Sequence, residues 1–318
     1  MSSEQEDNAS FVEKALSRLK RQQQESMPVA EVRQQQLAQA DTTAADGDES
    51  AAGQGPDNTR SVRFIAVERD RLRAEGFLAP DRYRRQMADE YRVIKRPLIS
   101  NAFGIGAPRV EDGNLILISS ALSGEGKTHT CINLALSLAA EQDRTVLLVD
   151  GDVANPHISR LFGVADQPGL LDALGDERQP LDKLLIRTDI PGLVLLPAGR
   201  WSEYTTELLA SDRMRELCHE LAGRYRDRII LFDSPPLLAT TEAQAIAQSV
   251  GQIALVVAEN MTPRESVRAA LDLLDKNKPI NAILNKTRRP IIGGYHYGGY
   301  GYGQQSEAER PKGNDQQP

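Results

Sequence analysis

The chain has 318 residues, 40% of them hydrophobic, and 45 acids against 38 bases give a net charge of −7. That length can bury a sizeable core, but no apolar run reaches the ~18 residues that a membrane helix needs, so the pattern excludes a bilayer-spanning class. Residues 1–60 hold eleven acids and six bases, the rest is nearly balanced, and no broad basic footprint for nucleic acid exists.

The start, Met1-Ser2-Ser3-Glu4-Gln5-Glu6-Asp7, is acidic where a secretory signal would be basic, so a cytoplasmic location is expected. Cys131 and Cys218 agree with this, both reading as buried, reduced thiols. Residues 1–60 are expected to be mostly disordered, since the stretch 21–60, rich in Gln, Ala, Asp, Gly and Ser, cannot offset the entropy of ordering. An amphipathic helix is expected at 10–20, with Ser10 as N-cap and Phe11, Val12, Ala15, Leu16 and Leu19 on one stripe. It would fold on a partner or a membrane surface, or fray without function.

Residues 61–110 read as a helical segment. Beyond Pro80-Asp81 the residues Tyr83, Met87, Tyr91, Ile94 and Leu98 recur at helical steps, and Pro97 is expected to end or kink the helix. Asp89, Arg92 and Lys95 form a charged stripe, which suits an oligomer contact or a solvated face. Residues 111–290 then alternate apolar runs with helical stretches. The runs are 115–119, 145–150, 193–197, 229–233, 253–258 and 280–285. Their continuous hydrophobicity predicts strands covered on both faces, in an α/β fold with a doubly wound, mostly parallel sheet whose function lies at the carboxyl ends of the strands.

The first run leads into Ala121-Leu122-Ser123-Gly124-Glu125-Gly126-Lys127-Thr128, which resembles a P-loop, G-x-x-x-x-G-K-[ST], with Ala121 in place of the first Gly. Such a loop wraps phosphates with backbone N–H groups, sets a Lys on the β/γ oxygens and a hydroxyl on Mg²⁺, so nucleotide is expected along Ser123, Gly124, Glu125, Gly126, Lys127, Thr128 and His129. The second run ends at Asp150-Gly151-Asp152, two carboxylates at i and i+2 on one side of an extended chain. Asp233 closes the fourth run as a Walker B strand would. All three suit Mg²⁺, held directly or through water, although N-caps or solvated turns also place Asp at strand ends. Asn285, closing the last run, could read adenine with its amide or simply turn the chain. Residues 291–318 are expected to be a flexible tail. Gly and Tyr crowd it, with Tyr295, Tyr297, Tyr300 and Tyr302 in eight positions, as in a low-complexity tail or in a segment built to present phenols to an active site.

Together these motifs resemble the bacterial tyrosine kinases of the capsule and exopolysaccharide type, over roughly residues 61–303. Glu90–Pro97, Asp150–Pro156 and Asp233-Ser234-Pro235-Pro236 are similar to the exosortase-associated tyrosine autokinases. The resemblance implies a P-loop NTPase fold and an ATP- and Mg²⁺-dependent protein-tyrosine autokinase. Lys127, Asp150, Asp152 and Asp233 would be its catalytic group, with Thr128, Asp150, Asp152 and Asp233 around the metal. It implies Asp152 as general base and Tyr295, Tyr297, Tyr300 and Tyr302 as phosphoacceptors. The family's helix motif E-x-x-R-x-x-R falls at Asp89, Arg92 and Lys95, which implies a homo-oligomer or ring, and the Arg often found two residues before the Walker A′ Pro is here Ala154.

The same resemblance implies a membrane polysaccharide chain-length regulator as a separate partner, a peripheral location at the inner membrane through that partner, and a cognate tyrosine phosphatase. Phosphorylation would loosen a ring by crowding charge in the tails. Two other readings stand beside this one. A positioning ATPase akin to the division-site and partition ATPases would carry a signature Lys where Leu122 stands, and a non-catalytic ATP-binding scaffold would fit the departures at Ala121 and Ala154.

Overall fold

The computed structural model describes residues 63–77, 81–175, 179–224 and 227–287, with backbone alone at 81–84. The helix expected at 10–20, the linker at 21–60 and the tyrosine cluster of 291–318 lie outside the described residues. Chain order begins with β1 (Arg63–Ile65), α1 (Arg69–Ala74) and α2 (Asp81–Phe103). Strands and helices then alternate: β2 (Leu115–Ser120), α3 (Lys127–Ala139), β3 (Thr145–Asp150), α4 (His157–Leu161), α5 (Leu170–Gly175), β4 (Ile186–Thr188), β5 (Leu193–Leu196), α6 (Thr205–Leu209), α7 (Asp212–Arg224), β6 (Arg228–Asp233), α8 (Thr241–Ser249), β7 (Gln252–Ala258), α9 (Arg264–Asp272) and β8 (Ile280–Asn285).

The strands form an eight-stranded sheet in the order β1-β4-β5-β3-β6-β2-β7-β8. Every pairing is parallel except β4 with β5. Parallel strands need crossovers, and the helices that supply them cover both faces. The doubly wound α/β expectation therefore holds.

Alternation along each strand divides the core in two. Leu115 and Leu117 of β2, with Leu147, Val149, Ile230 and Phe232, pack beneath α5, α7 and α8. Ile116 and Ile118, with Val146, Leu148, Ile229 and Leu231, pack beneath α2, α3 and α4. Both sets are fully buried, which is why the sequence shows unbroken apolar runs rather than alternation.

Two strands escaped the sequence reading. β1 and β4 span three residues each, too few for a periodicity, so residues 61–110 supply a strand as well as helices. Nor does Pro97 end its helix, since α2 runs on to Phe103. The missing Pro97 N–H frees the carbonyl of Val93, and Val93 stands exposed to water, so the loss costs little there. Meanwhile Tyr91, Leu98 and Ala102 are buried and hold the turn beyond Pro97 onto the sheet.

Candidate nucleotide and metal site

At the carboxyl edge, β2 passes through residues 121–126 into α3. Ala121 is fully buried in the core beneath α8 and is not among the residues with positive φ, so a methyl group is accommodated where a P-loop usually has Gly. Left-handed backbone is needed further on, at Gly124 (φ +79°) and Gly126 (φ +92°). At Gly126 a Cβ would also lie 2.2 Å from the Asn285 amide nitrogen. Helix geometry leaves the N–H groups of the first turn of α3 without helical acceptors, and the positive end of the helix dipole adds to their pull on an anion.

The loop is braced from the β7 and β8 side. Asn285 Nδ2 donates to the Glu125 carbonyl at 2.8 Å, and Lys286 Nζ donates to the Gly124 carbonyl at 2.6 Å. The Glu125 carboxylate turns inward, 3% exposed. It accepts from the Leu122 N–H at 2.8 Å and from the Thr262 hydroxyl. The Glu125 side chain thus holds the loop, its backbone N–H being the group expected to meet a nucleotide, and one N–H of Asn285 serves the loop backbone.

The aspartates converge through strand register. Asp150 and Asp233 are paired residues of β3 and β6. Asp233, fully buried, accepts from the Thr128 hydroxyl at 2.7 Å on Oδ2. Burial pushes its carboxyl up to about 7 despite the opposing pull of Lys127. Asp150 Oδ2 accepts from the Ser159 N–H and hydroxyl, each at 2.7 Å, and burial raises its carboxyl to about 6 against those bonds. Asp152 Oδ2 accepts from Lys127 Nζ at 3.0 Å. Burial alone would lower the Lys127 ammonium, but Asp233 and Asp152 outweigh it and hold it above its usual value.

In both Asp150 and Asp233 the other oxygen, Oδ1, is buried without a hydrogen-bond partner. Buried carboxylate oxygens are costly when bare, so these two atoms beside the Thr128 hydroxyl fit a cation. Among the described residues no three His, Cys, Asp or Glu side chains form a complete metal cage.

Other expected residues go elsewhere. His129 Nε2 lies 3.1 Å from the Gly76 carbonyl, and its ring stacks on Phe77 with centroids 5.4 Å apart. Its ring therefore ties the N-terminal segment to α3, while its backbone lies in the first turn of that helix. Ser123 is exposed on the loop. Asp89 and Arg92 pair with each other on the exposed face of α2. Lys95 leaves that face: it is 9% exposed, donates to the Ser137 carbonyl at 2.9 Å and pairs with Glu141. A second three-residue step leaves a helix position about 120° from its start, which puts Lys95 in line with Tyr91 and Leu98. Sequence reasoning missed Ser159, Thr262 and Lys286. Each lies on a segment following a strand end, but without a recognised motif to single it out.

A family model described as an AAA domain matches residues 113–278. The tyrosine-protein kinase YwqD of Bacillus subtilis is 31% identical over 186 residues, which cover 58% of this chain and 77% of YwqD. The chain belongs to the bacterial tyrosine-protein kinases. The putative tyrosine-protein kinase EpsB of Ralstonia nicotianae is 30% identical over 206 residues, 62% of this chain but 27% of EpsB, so this tyrosine-kinase chain spans about a quarter of that relative. The crystal structure of the VpsO kinase domain superposes with a TM-score of 0.55 at 32% identity, covering 65% of this chain and 98% of that domain. Among the described residues of this family member, no helix is long and apolar enough to cross a membrane.

Proposed function

We propose that this chain is an ATP- and Mg²⁺-dependent protein-tyrosine autokinase that phosphorylates Tyr295, Tyr297, Tyr300 and Tyr302 of its own C-terminal segment. The observation that carries the reading is the pair of contacts Lys127–Asp152 and Thr128–Asp233 beside two bare carboxylate oxygens. Membership of the tyrosine-protein kinases supplies the acceptor class.

Thr128, Asp150, Asp152 and Asp233 would hold Mg²⁺, directly or through water. When bound, the ion neutralises charge on the β- and γ-phosphates. The loop N–H groups and the Lys127 ammonium bind the phosphates and orient them. The phenol oxygen attacks the γ-phosphorus, the bond to the ADP oxygen breaks, and Asp152 takes the phenol proton. Phosphoryl transfer needs positioning and charge neutralisation more than covalent help from the protein, and these residues supply both.

The biological setting in this reading is control of exopolysaccharide or capsule synthesis or export. A separate membrane chain-length regulator would hold the kinase at the inner membrane, docking residues 1–60 or the kinase surface. Unphosphorylated copies would assemble as a homo-oligomer, with Asp89 and Arg92 at the contact, and a cognate phosphatase would reset the tails. No observation favours the positioning ATPase, because apolar Leu122 occupies the place of its signature Lys.

Transfer from labelled ATP with Mg²⁺, followed by peptide mapping, tests the proposal on the full chain, on Lys127→Ala and on a chain cut after Pro290, each with and without the regulator. Label on the four tyrosines that disappears in both variants is the expected result. ATP bound or hydrolysed with no labelled tyrosine under any condition would overturn it.

A further inference from the structure

After β1 the chain buries little of itself. Of residues 66–77 only Val67, Leu72 and Phe77 are buried. The start of this stretch is fixed at the end of β4, where the Asp189 carboxylate accepts from the Val67 N–H at 2.9 Å and from the Arg69 guanidinium at 2.5 Å. Its other end is closed onto α1 by the Phe77 N–H, which donates to the Leu72 carbonyl at 2.9 Å. That end arrives beside the first turns of α3 and α4, at the carboxyl edge of the sheet.

There Phe77 stands between two imidazoles. Its ring stacks on His129 with centroids 5.4 Å apart, and it lies tilted against His157 at 6.2 Å. The two residues before it hold the same histidines: the Gly76 carbonyl is 3.1 Å from His129 Nε2, and the Glu75 carboxylate is 3.3 Å from His157 Nε2. His129 follows Thr128 in the first turn of α3. His157 opens α4, and two residues on, Ser159 gives both its N–H and its hydroxyl to Asp150. One apolar ring thus touches the helix that carries the Thr128 hydroxyl and the helix that holds Asp150.

The two helices depend on that ring unequally. α3 spans 13 residues, with Thr130, Cys131, Ile132, Leu134 and Leu138 buried, so the sheet holds it. α4 spans five residues, too few for a helix to persist without tertiary contacts. Close-packed side chains keep their neighbours at fixed separations, so the ring sets how far α4 stands from α3. We infer that Phe77 is a positioning residue for the cation site: it fixes α4 and, through Ser159, holds the bare Asp150 oxygen in place relative to the Thr128–Asp233 pair. The phosphate loop is braced from the other side, by Asn285 and Lys286, and does not need the ring. Phe77 therefore governs the metal and not the phosphates. The inference rests on the Mg²⁺ role proposed above.

Calorimetric titration of the full chain with ADP, once with Mg²⁺ and once with EDTA, reads the factor by which Mg²⁺ tightens ADP. Phe77→Ala should cut that factor about tenfold, as when the outer support of a metal ligand is lost, and leave affinity in EDTA unchanged. Phe77→Leu, which refills the gap, should restore most of it. Leu217→Ala, a buried truncation in α7 on the opposite face of the sheet, lowers stability without touching the ring and should leave the factor as in the unsubstituted chain. Ser159→Ala should also lower the factor, and Phe77→Ala added to it should lower it little further, because the two act through one chain of contacts. An unchanged factor in Phe77→Ala would overturn the inference. So would an equal loss in EDTA, the same loss in Leu217→Ala, or fully multiplicative losses in the double variant. A factor near one in the unsubstituted chain would remove the Mg²⁺ role itself and the inference with it, whereas the other outcomes leave that role standing.

Discussion

The carboxyl edge of the sheet and helix α2 both carry charged residues that the sequence pattern groups together, and the fold treats the two groups oppositely. At the edge, Lys127, Thr128, Asp150, Asp152 and Asp233 come from three neighbouring strand ends: Lys127 bonds Asp152, Thr128 bonds Asp233, and Asp150 stands in register beside Asp233. On α2 the stripe breaks up, with Asp89 and Arg92 outside and Lys95 buried against α3. Parallel register sets strand ends side by side, whereas position along a helix must also be multiplied by angle. Sequence separation is thus a poor guide in both places: residues 25 and 105 positions apart meet at the sheet edge, whereas two three-residue steps along the helix take Lys95 off the face of Asp89 and Arg92.

Experiments can press on that contrast, beginning where the effect is greatest. Lys127→Ala removes the ammonium shared by the loop and Asp152 and should cut phosphoryl transfer by at least ~100-fold, in line with the loss of one preorganised charge donor. Labelled-ATP transfer measures it. Residual transfer near the starting rate would show that the edge is not the working site.

The next effect is on pH. Asp233, raised to about 7 by burial despite the pull of Lys127, is largely protonated below that value in the metal-free protein. A cation needs the carboxylate, so its binding expels the proton. Mg²⁺-nucleotide affinity should therefore rise up to about tenfold per pH unit as pH climbs toward 7, then level off above about 8. Titration calorimetry in buffers of different ionisation heat reads the released proton directly, and a flat profile from pH 6 to 8 would contradict the edge geometry. The sign for stability is the reverse. A raised carboxyl favours the folded state at low pH, and the metal-free protein loses that contribution as pH rises through 6 to 7.

Within α2 the contrast predicts two unequal losses. Lys95→Met leaves the Ser137 carbonyl without its charged donor and should cost about 1–3 kcal/mol in urea unfolding. Arg92→Ala breaks an exposed pair and should cost about 0.5 kcal/mol or less, with its effect instead in sedimentation of the unphosphorylated chain. Comparable stability losses for the two would erase the distinction between the faces.

Most of the sheet was legible because its central strands are long, apolar and bounded by recognisable loops. The P-loop and the aspartates were legible for a related reason: their chemistry sits where such strands stop. Less visible were interactions between distant segments. Nothing near Glu125 signals that its carboxylate turns inward to Thr262, 137 positions away. Nothing near His129 announces Phe77 as its ring partner, and Ser159 carries no motif although it holds Asp150. Such partners depend on which loops the sheet order makes neighbours, and that order emerges only from the complete fold.

The same order governs how the molecule can be made. β2, the first long strand to leave the ribosome, lies between β6 and β7, and its register partners are Ile230 for Leu115 and Gln252 for Ile116. At synthesis rates of about 5–20 residues per second, the nascent β2 waits roughly 6–25 s for its first neighbour. No early half of the chain can close its own core in that time. The loop that grips phosphate is thus among the earliest residues translated in the sheet and cannot be framed until β6 has followed it, so a message broken before that point yields an unfolded product rather than a smaller working protein.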